Sequence, residues 1–331
     1  LDANTTAAYN TAVGKSALQN NTTASANTAV GRQALMTNTT GANNTALGVR
    51  TLEANTTASN NTAVGFKALL SNTTGDANVS VGYLALTANT TGAKNTALGY
   101  MAAQATTTAA ENVALGFQAL YTNTTGQTNV AVGDEALHAN QTASNNTAIG
   151  SSALKANTTG TMNAAVGQDA LDSNTTGSYN TAVGSDALQA NTTADNSTAV
   201  GRSALEANTT GGYNTAVGKT ALMFNTTGYG NVALGMSAGA HTNGTTTGYN
   251  NVFIGTNTHG EAAGSDHQIV LGYYTQSVGE NYITLGKSTG ADRVYNSFVS
   301  SATWGRVSDE RVKKDITTNT PDQDNSVWYK Q

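Results

Sequence analysis

One glycine recurs every 17 residues, at Gly14, Gly31, Gly48, Gly65, Gly82, Gly99, Gly116, Gly133, Gly150, Gly167, Gly184, Gly201, Gly218 and Gly235, with no insertion or deletion between copies. The unit around it reads N-T-A-V-G-x-x-A-L-x-x-N-T-T-G/A-x-x. Three looser copies follow, NVFIG ending at Gly255, QIVLG at Gly272 and YITLG at Gly286, at gaps of 20, 17 and 14. A strict period means that every unit does the same structural job, and a unit this short cannot hold the helix pair of a helical repeat. Asn, Thr, Val and Gly are weak helix formers, and N-T-A-V-G alternates with the period of a strand. The chain is therefore expected to be all-β, a parallel β-solenoid with one repeat per turn.

Each turn is expected to hold two short strands, N-T-A-V and the stretch around A-L, joined by corners at the glycine and at NTTG. Identical residues then stack as ladders about 4.8 Å apart, so fourteen strict turns make a rod of roughly 65–70 Å. Gly14 and Gly31 shape corners, Asn10 and Asn21 occupy them, and Val13 and Leu18 fill the core. The aliphatic column before the glycine and the Thr or Val column two residues earlier share a face. They become Ile269/Leu271 and Ile283/Leu285 in the looser copies, which marks that face as the buried one. Ala12, Ala29 and Ala46 then point outward, and a row of small residues lets another backbone approach closely. Lateral association of copies, most simply a homotrimer, is expected.

Composition agrees with this plan and narrows function. Charged residues are 11% of the 331-residue chain, where about a quarter is usual. Only one proline is present, as ladders demand, because proline donates no hydrogen bond. The absence of cysteine removes disulfides and thiolate metal sites. Net charge is −5 and thinly spread, with no basic patch for nucleic acid. No apolar run reaches the length of a membrane span. The chain opens at Leu1 without a methionine and is read as a piece of a longer product.

Asn21, Asn38, Asn55 and their equivalents each precede a Thr by two residues and so form N-glycosylation sequons. The competing reading, an Asn/Thr ladder bonded from turn to turn, is the stronger one, because a second Asn column (Asn10, Asn27, Asn44, Asn61) already favours Asn at corners. Ice binding through flat threonine ladders is a third reading. The two adjacent Thr of each NTT weigh against it, since neighbours in extended chain face opposite ways. The two residues after each repeat glycine vary freely and read as solvated corners or a weak receptor surface. His138, His241, His259 and His267 lack metal-ligand spacing. His259, Glu261, Asp266 and His267 fall close together in what reads as a polar loop. No catalytic, phosphate-binding or calcium-repeat motif is present, so no cofactor is expected.

After Gly286 the pattern dissolves, and charge gathers in SDERVKKDI, Ser308 to Ile316. This segment resembles the start of the intramolecular chaperone domain (peptidase S74 family) that ends phage tail fibres and tailspikes. Ser308, Asp309, Arg311, Lys313 and Ile316 match its S-D-x-R-x-K-x-x-I pattern. The resemblance implies a fibre that is trimerised and then cut between Ser308 and Asp309, with Ser308 as nucleophile and Lys313 as base. It covers residues 309–331. N-T-A-V-G and N-V-A-L-G are similar to the repeats in the head of trimeric autotransporter adhesins, which implies a left-handed β-roll with three chains side by side. The chain is divided into a regular shaft (1–235), irregular turns (236–290), a cap or tip region (291–308) and a chaperone start (309–331). The expected role is a phage tail fibre shaft that presents a receptor-binding tip, located on the virion tail. Its expected partners are itself, other tail proteins and a host-surface glycan or protein. A bacterial surface adhesin or filament is the alternative, at the cell surface. Beyond self-cleavage no enzymatic activity is expected.

Overall fold

The computed structural model describes residues 3–240, 246–288 and 292–299, and the backbone of 305–307. Ser308, Asp309, Lys313 and the segment 309–331 lie outside the described residues. Among those described, no helix forms. Seventeen parallel strands, β1 (Thr11–Val13) to β17 (Tyr282–Gly286), stack in chain order. Pairing is residue on equivalent residue: Thr11 faces Thr28, Ala12 faces Ala29, Val13 faces Val30. The register survives both changes of spacing. Val232 meets Val252 across the 20-residue gap, and Ile269 meets Ile283 across the 14-residue gap. The last two strands, β18 (Arg293–Ser297) and β19 (Gly305–Val307), run antiparallel and end the solenoid. The expected solenoid with one repeat per turn is present.

Two expectations about the turn are corrected. First, the strand is inside out relative to the sequence reading. Ala29, Ala46, Ala63 and Ala97 are fully buried, whereas Val13 is 57% exposed, Leu47 47% and Leu234 50%. The reason is volume. The alanine column faces the narrow lumen, where only a methyl group fits, so it stays Ala, with Ser80 the one departure through Ala233. The outer column varies among Val, Leu and Ile because nothing in the chain constrains it. The outward alanine row that suggested lateral packing therefore does not exist.

Second, A-L is not a strand. Gly14 to Ala17 and Leu18 to Asn21 form two successive tight turns, closed by Ala17 N–H to the Gly14 carbonyl (3.3 Å) and Asn21 N–H to the Leu18 carbonyl (3.4 Å). Leu18 adopts φ 48° and Ser16 φ 60°, and the same pair of left-handed residues returns in nearly every turn. That conformation costs a non-glycine residue about 1–2 kcal/mol. It persists because it drives the leucine into the lumen, where Leu18, Leu35 and Leu52 are fully buried, and because Leu18 N–H still bonds the Ala34 carbonyl of the next turn (3.1 Å). The repeat glycine is required twice over. Gly14 has φ 126°, and a Cβ there would lie 2.7 Å from the Gly31 carbonyl oxygen.

The lumen also carries two columns of buried Asn, and most of their amides are paired. Asn38 Nδ2 donates to Asn21 Oδ1 (2.9 Å) and to the Gly41 carbonyl (2.9 Å). The second column bonds the same carbonyl: Asn27 Nδ2 donates to Gly41 O (2.9 Å), while Asn27 Oδ1 accepts the Asn44 N–H (2.9 Å). One loop carbonyl thus receives two amides, and each amide also ties one turn to the next. Buried polar groups are tolerable only when bonded in this way. Where the strict repeat ends, Phe253 takes the alanine position, and Gly239 replaces the leucine beneath it. A Cβ at Gly239 would meet Phe253 Cδ2 at 2.9 Å. The large ring and the missing side chain compensate each other.

Candidate functional surfaces

No residue constellation with catalytic geometry emerges among the described residues, nor any group of three His, Asp or Glu able to hold a metal. The histidines are dispersed. His138 stacks on Tyr121 (5.1 Å between ring centres), His267 meets Tyr249 edge-on, and His259 Nδ1 lies 3.0 Å from the Gly260 carbonyl. Asp266 accepts the Tyr249 N–H (2.9 Å). His241 lies outside the described residues. Three long faces of the rod can be distinguished.

The first is the NTT corner. Asn21, Asn38 and Asn55 are fully buried, and the nitrogen a glycan would use donates inward, as in Asn55 Nδ2 to Asn38 Oδ1 (2.8 Å) and to the Ala58 carbonyl (2.9 Å). This geometry favours the ladder over a sugar at these sequons, since a glycosylated nitrogen would break the lumen network. The two threonines divide the work. Thr39 Oγ1 donates to the Thr56 carbonyl (3.0 Å) and forms a further ladder, while Thr40 stays exposed.

The second face is the outer side of the strands. From Thr11 to Leu234 its two columns contain only Thr, Val, Leu, Ile and a single Ala, without one charge. Leu98 is 44% exposed and Ile149 40%. Sequence reasoning assigned these side chains to the interior. The signal that separates the faces was available: a column of constant small size is a packed one, and a column that drifts among branched residues is not.

The third is the variable corner after each glycine, where aromatic and charged residues collect. Phe66, Tyr83, Tyr100 and Phe117 stack in order at 5.4, 5.2 and 5.4 Å, with ring planes within 13° of parallel. Lys155 Nζ pairs with Glu135 (2.6 Å), which holds that carboxyl below its ordinary range. Asp172 is raised above the usual carboxylate value by burial and by neighbouring Asp169. Away from this corner, Lys94 and Glu111, each just before a strand-leading Asn, pair across adjacent turns (3.1 Å).

Neither a scan against protein-family models nor a search of curated proteins returns a match for this chain. No helix among the described residues is long and apolar enough to cross a membrane.

Proposed function

We propose that the chain is the shaft of an extracellular fibre, most simply a bacteriophage tail fibre that holds a receptor-binding tip away from the virion. The observation that carries this reading is the unbroken stack from Thr11 to Gly286. Seventeen rungs at about 4.8 Å give a rod of roughly 75–80 Å, with its Ala, Leu and Asn columns stacked turn on turn. Its work is mechanical: reach, and avidity from several copies of the tip.

In this reading three copies pack side by side through the uncharged outer strand face, and the rod winds left-handed. A face about 70 Å long and ~10 Å wide offers roughly 700 Å² per chain, shared between two neighbours at about 350 Å² each, so the strand face contributes part of the ~800 Å² per partner of a stable interface. The resemblance at Ser308 to Ile316 supplies the remaining assignment, trimerisation by a following chaperone domain and release by cleavage between Ser308 and Asp309. Host recognition, through a surface glycan or protein, then belongs to the tip. The test is the product of the full-length gene. A chaperone domain after Gln331, cleaved off in the parent and retained in Ser308→Ala, together with straight rods in electron micrographs, is the expected result. A membrane-anchor barrel in that position makes the chain a surface adhesin and overturns the phage assignment.

A further inference from the structure

We propose that the NTT corner is an ice-binding face, whose ligand is the ordered water at the surface of an ice crystal. The second threonine of the corner recurs fourteen times at intervals of 17, from Thr6 through Thr23 and Thr40 to Thr227, without a substitution, and Thr247 continues the column after the 20-residue gap. Each of these side chains is exposed. The outward column after the repeat glycine, by contrast, drifts through Lys15, Arg32, Val49 and Phe66. Constancy at a packed position follows from volume, but an exposed threonine is under no such demand. Nor does the sequon account for it, because Thr108 is kept in the turn where Thr106 has replaced the asparagine.

The corner presents these hydroxyls to solvent uncommitted. Among the described residues none of them bonds another group of the chain. The first threonine is half-buried and donates to the next turn, as Thr56 Oγ1 does to the Thr73 carbonyl (3.0 Å). The chain bends at both threonines, so the two columns lie side by side instead of on opposite faces of a strand. On the other side, from Thr23 onward, each exposed threonine adjoins a buried Ala or Gly, such as Ala58 after Thr57, which adds no protruding side chain. From Asn4 to Gly228 the four corner positions carry no charge and no aromatic ring in any turn.

Identical groups at one fixed interval along a straight line match a ligand that has its own repeat. The rungs set that interval at about 4.8 Å, and the strict column runs for roughly 60 Å. The interval is close to the oxygen spacing along the prism face of hexagonal ice. A hydroxyl donates one hydrogen bond and accepts two, so each rung anchors water, while its methyl group orders further water over apolar surface. A charge or a large ring would break that order. Adsorbed rods force ice to grow as curved fronts between them, which lowers the freezing point below the melting point. The face lies on a different side of the turn from the outer strand columns, so the proposal stands apart from the fibre reading.

Nanolitre osmometry of the purified protein around a single seed crystal is the test. The parent should hold the seed faceted and without growth through an interval below its melting point. Thr108→Lys/Thr125→Lys, which places two charges in the middle of the column, should abolish that interval. Ser151→Lys/Gln168→Lys adds the same charge at the exposed corner after the glycine and should leave it unchanged. Sedimentation and circular dichroism of every variant separate loss of the face from loss of fold or assembly. If the first variant does not fold, Thr176→Lys/Thr193→Lys interrupts the same column elsewhere and carries the same expectation. A parent protein that leaves ice growth unchanged overturns the proposal. So does an interval that survives in the folded threonine variant, or one that the Ser151/Gln168 variant loses equally.

Discussion

The NTT amide ladder is interrupted at Thr106, and repairing it should stabilise the rod. Thr106 stands where the neighbouring turns carry Asn89 and Asn123. It is fully buried, its Oγ1 has no hydrogen-bond partner, and Asn89 Oδ1 above it is left unpartnered as well. In an intact stretch the same position makes three bonds. Asn55 donates to Asn38 Oδ1 (2.8 Å) and to the Ala58 carbonyl (2.9 Å), and accepts from Asn72 Nδ2 (3.1 Å). Thr106→Asn places an amide of similar volume where it can donate to Asn89 Oδ1 and the Ala109 carbonyl and accept from Asn123 Nδ2. Three bonds at about 1 kcal/mol each, with two orphaned oxygens removed, give a gain of about 3 kcal/mol, within a range of roughly 2–5. Native-state hydrogen exchange reads this locally. The amides of Thr90 and Thr107, which bridge these turns at 2.8 and 3.1 Å, should exchange about 100-fold more slowly. The reverse change, Asn55→Thr, should speed exchange of Thr39 and Thr56 by a similar factor. Unchanged protection in both variants would refute the view that buried amide pairing, and not backbone ladders alone, holds the turns together.

Two further outcomes follow from the geometry. Ala148→Leu adds three carbon atoms to a fully buried lumen position and should cost about 1–3 kcal/mol by overpacking, read as a lower urea midpoint; a neutral result would place the alanine column outside. Asp172 has a raised pKa in the folded chain, so the folded state holds its proton more tightly, and stability falls as pH rises from the ordinary carboxylate range through the raised value. Asp172→Asn should therefore raise the melting temperature at pH 7 and leave it unchanged below the ordinary carboxylate range, and equal shifts at both pH values would count against the assignment.

The period, the strand class, the parallel stack and the Asn ladders were all legible from residues such as Gly14, Asn21 and Asn27, because each is a local demand repeated many times. A positive φ, a bonded amide and a three-residue strand need no knowledge of the rest of the chain. The inside and the outside of the strand were misread. Hydrophobicity alone assigns Val13 to the core and Ala12 to the surface, but the lumen is set by its width, and width is a property of the closed turn. The left-handed Leu18 was equally hidden. Leucine rarely adopts that conformation, and tertiary packing overrides its preference here. The aromatic row from Phe66 to Phe117 was visible only as variable corners, since its members lie 17 residues apart and meet only when the turns stack.

The central claim, a rod built to pack against copies of itself through an uncharged strand face, is tested most directly by multi-angle light scattering of the purified chain. A homotrimer has a mass about three times the 33.6 kDa of one chain, and this is the expected result. A particle with the mass of a single chain, stable across the working concentration range, would contradict it.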